Sequence, residues 1–409
     1  MKRARFGRWT LAASSVLAIG ALAGTASADS MSDLVAAAKQ EGELTIIAVP
    51  HDWCGYGAII DGFKAAYGLK VNELNPDAGS GDEIEAIKAN KGNKGPQAPD
   101  VIDVGLSFGP SAKAEGLLQP YKVSTWGTIP EDQKDAEGYW YGDYYGVLAF
   151  EINADLVKKM PADWADLLGA EYKNAVAIGG DPRSSNESIQ TVFAAGLSAT
   201  NGDVNKAATA GLDYFAKLNK AGNFVPVDIS AATLAQGSTP VGVRWDYLAL
   251  GDRDTLKGNP PVEIVVPKTG VVAGVYIQAI SAYAPHPNAG KLWMEWLYSD
   301  PVQLQWLKGY CHPIRFQDLV KNNKVPSDLL AKLPPAEAYD KALFPSLAQQ
   351  GAAKEVITKQ WDSAVGVTVA LSLTTFSAAG GSRRSAPFIG AYRVRCLPMF
   401  SVVRFSVIA

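Results

Sequence analysis

Residues 284–306 read APHPNAGKLWMEWLYSDPVQLQW and follow the apolar run VAGVYIQAISAYA. Pro285 and Pro287 lack the amide that a strand ladder needs, so the run must end there. Asn288 is a good N-cap, and Ala289, Leu292, Trp293, Trp296 and Leu297 then recur at the spacing of one helical face. Asp300-Pro301 repeats the start signal for a second helix. The stretch therefore predicts strand, tight turn, helix, turn, helix.

Working outward, the same alternation fills the chain. Leu44–Val49 reads as a buried strand followed by the loop PHDWCGYG, and Ala58–Tyr67 as a helix with Ile59, Ile60, Phe63 and Tyr67 on one face. Leu69–Leu74 is a second strand. NPDAGSG leads into a helix over Asp82–Ala89, and Asp100–Val104 is a third strand before GLSFGPSA and another helix. Tyr144–Asn153 reads as a strand leaving this first unit. Trp164–Leu168, the strand Ala175–Ile178 and the helix after GDPRSSNES open a second unit, from which Val262–Val266 and the run after Gly270 return. Short β-loop-α units of this kind build α/β layers whose ligands collect at the carboxyl ends of the strands. A chain of 409 residues exceeds the size at which one core stops growing, so two lobes are expected.

The N-terminus predicts export. Lys2, Arg3, Arg5 and Arg8 form a basic n-region, Trp9–Gly24 an apolar h-region, and Ala26-Ser27-Ala28 a cleavage site, so Asp29 is expected to open the mature chain. Losing those four basic residues takes the formal charge from −3 to −7, which disfavours nucleic acid or an anionic membrane as partner. Ten Trp, many in Gly- and Pro-rich loops, suit ligand stacking as well as ordinary packing.

From about Glu41 to Asp362 the chain resembles the family-1 type of extracellular solute-binding protein, the receptors of ABC importers for polyamines, thiamine, ferric iron and phosphonates. GELTII, PDVIDVG, AEGLLQPY, GVLAFEINADL, PVGVRWDY and the PHPNAGKLWMEW helix carry the resemblance by their order and spacing. It implies a type II periplasmic-binding-protein fold: two lobes, each a mostly parallel sheet flanked by helices, joined by crossing strands. The expected boundaries are a signal peptide over 1–28, a discontinuous first lobe over 29–143 and 272–365, a second lobe over 144–271, and an atypical tail over 366–409. It further implies a monomer in the periplasm that closes on a small solute, presents it to an inner-membrane permease, performs no chemistry and needs no cofactor or resident metal.

Loops after the predicted strands face the expected cleft. Trp53 and Tyr56 offer ring faces, with His51 and Asp52 beside them. Ser80 and Gly81 open a helix whose free amides suit an anion, although plain capping by Ser80 and Asp82 explains them too. Ser107 follows a strand end, and Ser184, Ser185 and Asn186 stand at another helix start. Trp245 beside Asp246 and Tyr247 pairs an aromatic face with a carboxylate, a combination suited to an organic cation. The resemblance places that segment at the cleft. The paired tyrosines of ferric receptors are missing there, Tyr144-Tyr145 being the only adjacent pair. A polyamine- or thiamine-like cation is therefore the first expectation, a phosphorylated or phosphonate solute the second, ferric iron the third. The anion-friendly helix starts and the cation-friendly Trp245-Asp246 agree only if the solute is zwitterionic or one feature is structural.

A periplasmic hydrolase is the rival reading. Its material would be His51, His286, His312 and Cys54, but one His with one Cys makes half a metal site, and no H-E-x-x-H, G-x-S-x-G or P-loop is present. In an oxidising compartment Cys54 and Cys311, both assigned to the first lobe, are expected to form a disulfide; two buried free thiols are the alternative. After Asp362 the chain holds no Asp, Glu or Lys, only five Arg, which suggests out-of-frame or readthrough translation from Gly366 onward, or else a basic tail that contacts membrane or permease.

Overall fold

The computed structural model describes residues 22–330 and 341–370. In the first lobe α1 (Leu22–Glu41) leads to β1 (Glu43–Ile47), α2 (Tyr56–Tyr67), β2 (Lys70–Leu74), α3 (Ser80–Ala89), β3 (Val101–Gly105), α4 (Phe108–Ala114) and β4 (Leu118–Gln119). β5 (Tyr141–Asn153) crosses to β6 (Val176–Ile178), α5 (Asn186–Ala199), α6 (Val204–Lys220), β7 (Phe224–Asp228), α7 (Ala231–Ala235), β8 (Val241–Trp245), α8 (Asp246–Leu256) and β9 (Val262–Val265). β10 (Ala273–Ser281) returns to α9 (Pro287–Leu297), α10 (Asp300–Lys308), β11 (His312–Pro313), α11 (Phe316–Lys321) and α12 (Ser327–Leu330), and α13 (Leu347–Ala364) follows. The expected α/β alternation is present. The sheets are mixed rather than mostly parallel: β1–β2 and β6 with β7 and β8 are parallel, while β10 runs antiparallel to β3, β4 and β5, and β5 to β8 and β9.

One strand serves both lobes. The first half of β5 pairs with β10 from Tyr141 to Val147, and the second half, Leu148 to Asn153, pairs with β8 and β9. Two glycines let the second lobe's rings lie directly on these crossing strands. A Cβ on Gly146 would stand 2.5 Å from the Tyr247 ring, and one on Gly274 would stand 2.1 Å from the Trp245 ring. No side chain larger than hydrogen fits either place.

The deciding stretch folds as strand, turn and two helices, with different caps. Pro287 occupies the first turn of α9, His286 the cap position, and Asn288 lies inside the helix. The helix start is satisfied from outside: the Glu41 carboxylate, at the end of α1, accepts the amides of Asn288 (3.1 Å) and Ala289 (2.8 Å) and the Asn288 side chain (2.8 Å). Ser299, not Asp300, occupies the N-cap position of α10. Leu292, Trp293 and Leu297 are buried as their spacing requires.

α13 does not stay with the first lobe. It packs on α5 and α6, with Trp361 against Phe215 and Phe224, and Gln190 donates to Gln350 at 3.2 Å. Residues just past Gly366 continue onto the same lobe, where Asp228 donates to the Ala370 carbonyl (2.9 Å) and Ala370 to that of Pro226 (3.0 Å). The start of the expected tail is thus packed structure, and its remainder over 371–409 lies outside the described residues, as do residues 1–21 of the expected signal peptide.

Candidate functional site

The two lobes touch along a line of helix starts. The Gly81 amide in α3 donates to the Ser184 carbonyl, just before α5, at 3.0 Å. A Cβ on Gly79 or Gly81 would press on Ser184 at 3.1–3.2 Å, and one on Gly105 would lie 2.0 Å from Asn186 Cγ. Backbone therefore meets backbone, and the Asn186 side chain fills the space over Gly105 at the carboxyl end of β3. Ser107, two residues on, occupies the N-cap position of α4 without a capping hydrogen bond from its side chain.

The sequence-predicted serines divide by their partners. Ser80 is buried, and its Oγ accepts the Gly105 amide at 3.1 Å. Ser185 Oγ donates to the Gly179 carbonyl (2.7 Å) and accepts the Ser188 amide (3.4 Å), an N-cap arrangement. Asp82 accepts the Gly79 amide at 3.0 Å. Ser107 Oγ, Asn186 Oδ1 and Tyr247 Oη, by contrast, are buried without a hydrogen-bond partner among the described residues. Buried polar atoms are almost always paired, so unpaired ones at a lobe interface mark where a further group is wanted.

The aromatic residues form one cluster beside these helix starts. Trp53 lies edge-on to Tyr247 (5.6 Å between centroids) and Tyr276 (5.4 Å), and Tyr276 stacks on Tyr144 at 5.5 Å. Trp53 Nε1 donates to Tyr144 Oη (2.7 Å), and Trp245 Nε1 to Tyr276 Oη (3.4 Å). Trp53 is half-buried, whereas Tyr56 and Trp245 have no exposed surface at all. Asp246 is enclosed too, and its Oδ1 accepts the Val147 amide at 2.9 Å, so this carboxylate holds the crossing strand.

Two glutamates sit in the first turns of α3 and α5, where they would oppose an anion if charged. Burial, reinforced by Asp103, raises Glu83 well above the usual carboxylate range. Burial likewise pushes Glu187 up to about 8 against the pull of Arg244, while its Oε1 accepts the Trp245 amide at 2.7 Å. Raised values favour the neutral form of both carboxyls, which spares the positive character of the helix starts.

Cys54 and Cys311 form the expected disulfide, with Cα atoms 5.4 Å apart. It ties the Trp53 loop to the end of α10, and both tied segments reach the second lobe: Trp53 meets Tyr247, and Tyr310 Oη donates to Asp254 at 2.5 Å. From the other side, Lys354 of α13 donates to the Ser107 carbonyl (3.0 Å) and Ser111 Oγ (3.3 Å) and lies 3.9 Å from the centre of the Phe108 ring. Burial draws its ammonium down to about 8. Asp103, Gly105, Tyr276, Tyr310 and Lys354 escaped the sequence reading; only Asp103, a lone acid inside the apolar strand VIDVG, carried a visible signal.

The histidines assemble no catalytic set. His51 is exposed against Glu73 (2.5 Å), His286 Nδ1 meets Asp100 (2.9 Å), and His312 stacks on Tyr145. Among the described residues no cluster of three His, Cys, Asp or Glu side chains could hold a metal ion.

Residues 97–341 match the family described as bacterial extracellular solute-binding protein. A relative from Salmonella typhimurium, provisionally named a 2-aminoethylphosphonate-binding periplasmic protein, is 28% identical over 257 residues, 61% of this chain and 70% of its own. Among solved structures, the periplasmic binding protein AfuA from Actinobacillus pleuropneumoniae with fructose-6-phosphate has a TM-score of 0.62 at 22% identity, covering 80% of this chain and 99% of its own. Iron-bound HitA from Pseudomonas aeruginosa has a TM-score of 0.59 at 18% identity, with 80% and 99% covered. The lobes built on one crossing strand are the type II periplasmic-binding-protein fold, and the chain belongs to the bacterial extracellular solute-binding protein family, the receptors of ABC importers.

Proposed function

We propose that the protein captures a small phosphonate- or phosphate-bearing solute with an amine at its other end, and passes it to an ABC permease. One observation carries this reading: the starts of α3 and α5 converge at the Gly81–Ser184 hydrogen bond, with unpartnered Ser107 Oγ and Asn186 Oδ1 alongside and ring faces behind. The positive ends of two helices beside an unpaired hydroxyl favour an oxyanion. The half-buried ring of Trp53, set against Tyr247 and Tyr276, favours a cation. A zwitterion uses both, and the name of the 28%-identical relative agrees with that chemistry.

A purely cationic solute held between Trp245 and Asp246 has less support, because the Asp246 carboxylate is engaged by the Val147 amide of the crossing strand. Closure brings both lobes onto the solute, so binding selects the closed state. The expected life history is export, cleavage after Ala28 and work as a periplasmic monomer.

Native mass spectrometry of protein purified from the periplasm would weigh a co-purifying solute and the mature N-terminus together. A thermal-shift panel of 2-aminoethylphosphonate, ethylphosphonate, putrescine, thiamine and ferric citrate then ranks the classes. Stabilisation by the phosphonates is the expected result. Stabilisation by putrescine, thiamine or iron, with none by either phosphonate, overturns the reading.

A further inference from the structure

Behind the ring cluster, the first lobe buries three carboxylates in one hydrogen-bonded network. Asp103 Oδ2 accepts Tyr56 Oη at 2.6 Å and Tyr144 Oη at 3.0 Å, and Tyr144 in turn accepts Trp53 Nε1. Glu83 accepts the Asp103 amide at 2.8 Å. Gln278 Nε2 donates to Tyr56 Oη (2.9 Å) and to Asp143 (3.1 Å). All three acids are nearly or fully buried, and none has an ion-pair partner among the described residues. Asp103 Oδ1 is buried with no hydrogen-bond partner among the described residues.

Position singles out Asp103 from the three. It lies two residues before Gly105 on β3 and so shares that residue's face, one pleat behind the point where Asn186 enters from the second lobe. Its register partner is Gln278, and the partner of Gly105 is Tyr276 of the ring cluster. Burial of a carboxylate without a cation is costly, and a free oxygen adds to the cost. A cation that arrives from outside removes both penalties, and the Trp53–Tyr144 hydrogen bond links this carboxylate to the cleft loop.

We propose that Asp103, and not Asp246, is the carboxylate that receives the cationic end of the solute. The proposal rests on the amine-bearing anion of the previous subsection and names the residue that reads its amine. The nearby acids Glu83 and Asp143, and the hydroxyls of Tyr56 and Tyr144, supply no positive charge of their own. Burial lifts Asp103 to about 7 while the two tyrosine hydrogen bonds pull it back, so it ionises readily when a cation comes near.

The test is Asp103→Asn with two probes that differ only in the amine, 2-aminoethylphosphonate and ethylphosphonate. The expected result is a loss of tenfold or more in affinity for the first, no more than a twofold change for the second, and a melting temperature that is unchanged or higher. Equal losses for both probes, or no loss for either, overturn the proposal. Should the variant fail to fold, the wild type decides: its preference for the amine-bearing probe should grow between about pH 6 and pH 8, and a flat preference overturns the proposal. Putrescine separates the two readings. Binding of putrescine alone, lost in Asp103→Asn, keeps Asp103 and removes the phosphonate. Equal wild-type affinity for both phosphonates keeps the phosphonate and removes Asp103. Binding of none of the three removes both.

Discussion

Asn186 of the second lobe fills the space that a side chain on Gly105 of the first lobe would need, with Cγ 2.0 Å from an added Cβ. This contact exists only when the lobes are together, so it couples a single glycine to closure.

Gly105→Ala should therefore fold normally, because a strand backbone accepts alanine, yet close poorly. Solute affinity by calorimetry is expected to fall at least tenfold with the unliganded melting temperature little changed. Combined with Asn186→Ala, the substitution should cost no more than Asn186→Ala alone, since the two act through one contact. Additive losses would argue against a shared contact.

Loss of the disulfide should loosen both clamps on the second lobe. A Cys54→Ser, Cys311→Ser double variant is expected to lose about 2–5 kcal/mol in urea unfolding. Its solute affinity should also fall, because Trp53 and Tyr310 flank the bridge. Unchanged affinity beside lost stability would confine the bridge to a structural role.

The unliganded protein should melt at lower temperature as pH rises from about 6.5 to 8. Asp103 is lifted to about 7, and Glu151 and Glu187 to about 8, each chiefly by burial. An acid whose folded value is raised loses stability as pH climbs from the unfolded value, about 3.9 for Asp and 4.3 for Glu, to the folded one, because the unfolded chain ionises first. His286, raised chiefly by its hydrogen bond to Asp100, acts in the same direction, since its charged contact is lost as pH rises. A melting temperature that increases over this window would contradict these shifts, and a saturating solute should flatten the slope if it neutralises Asp103.

Glu41→Ala removes the acceptor of three hydrogen bonds at the start of α9. The expected cost is about 1–2 kcal/mol, the range of a lost helix cap, read from the denaturation midpoint. Solute affinity should be unaffected, as α9 lies away from the lobe interface.

Much of the fold was legible because its signals are local. The prolines of 285–287 end β10, the period of Leu292, Trp293 and Leu297 buries one face of α9, and Ser185 caps α5 where a serine-rich loop meets an apolar run. The cap of α9 was misread because the competing acceptor, Glu41, is 247 residues away from Asn288 in sequence. Of the aromatic site candidates, Trp53 stands at the lobe interface, while Trp245 and Tyr56 are enclosed. Residue type marks a ring as suited to stacking but leaves open which side of the sheet it faces.

The alternation of strands and helices was legible in the chain because apolar period and turn residues act over short stretches, and the order of its motifs pointed to the family; the Cys54–Cys311 bridge was an expectation with free thiols as its alternative, and the fold brings the two together. Folding alone places α13 on the second lobe, Lys354 on Ser107 and the Asp246 carboxylate on the Val147 amide, and buries Asp103 with no cationic partner among the described residues. These are contacts between distant segments, and the energy of a charge depends on what surrounds it after folding rather than on its neighbours in the chain.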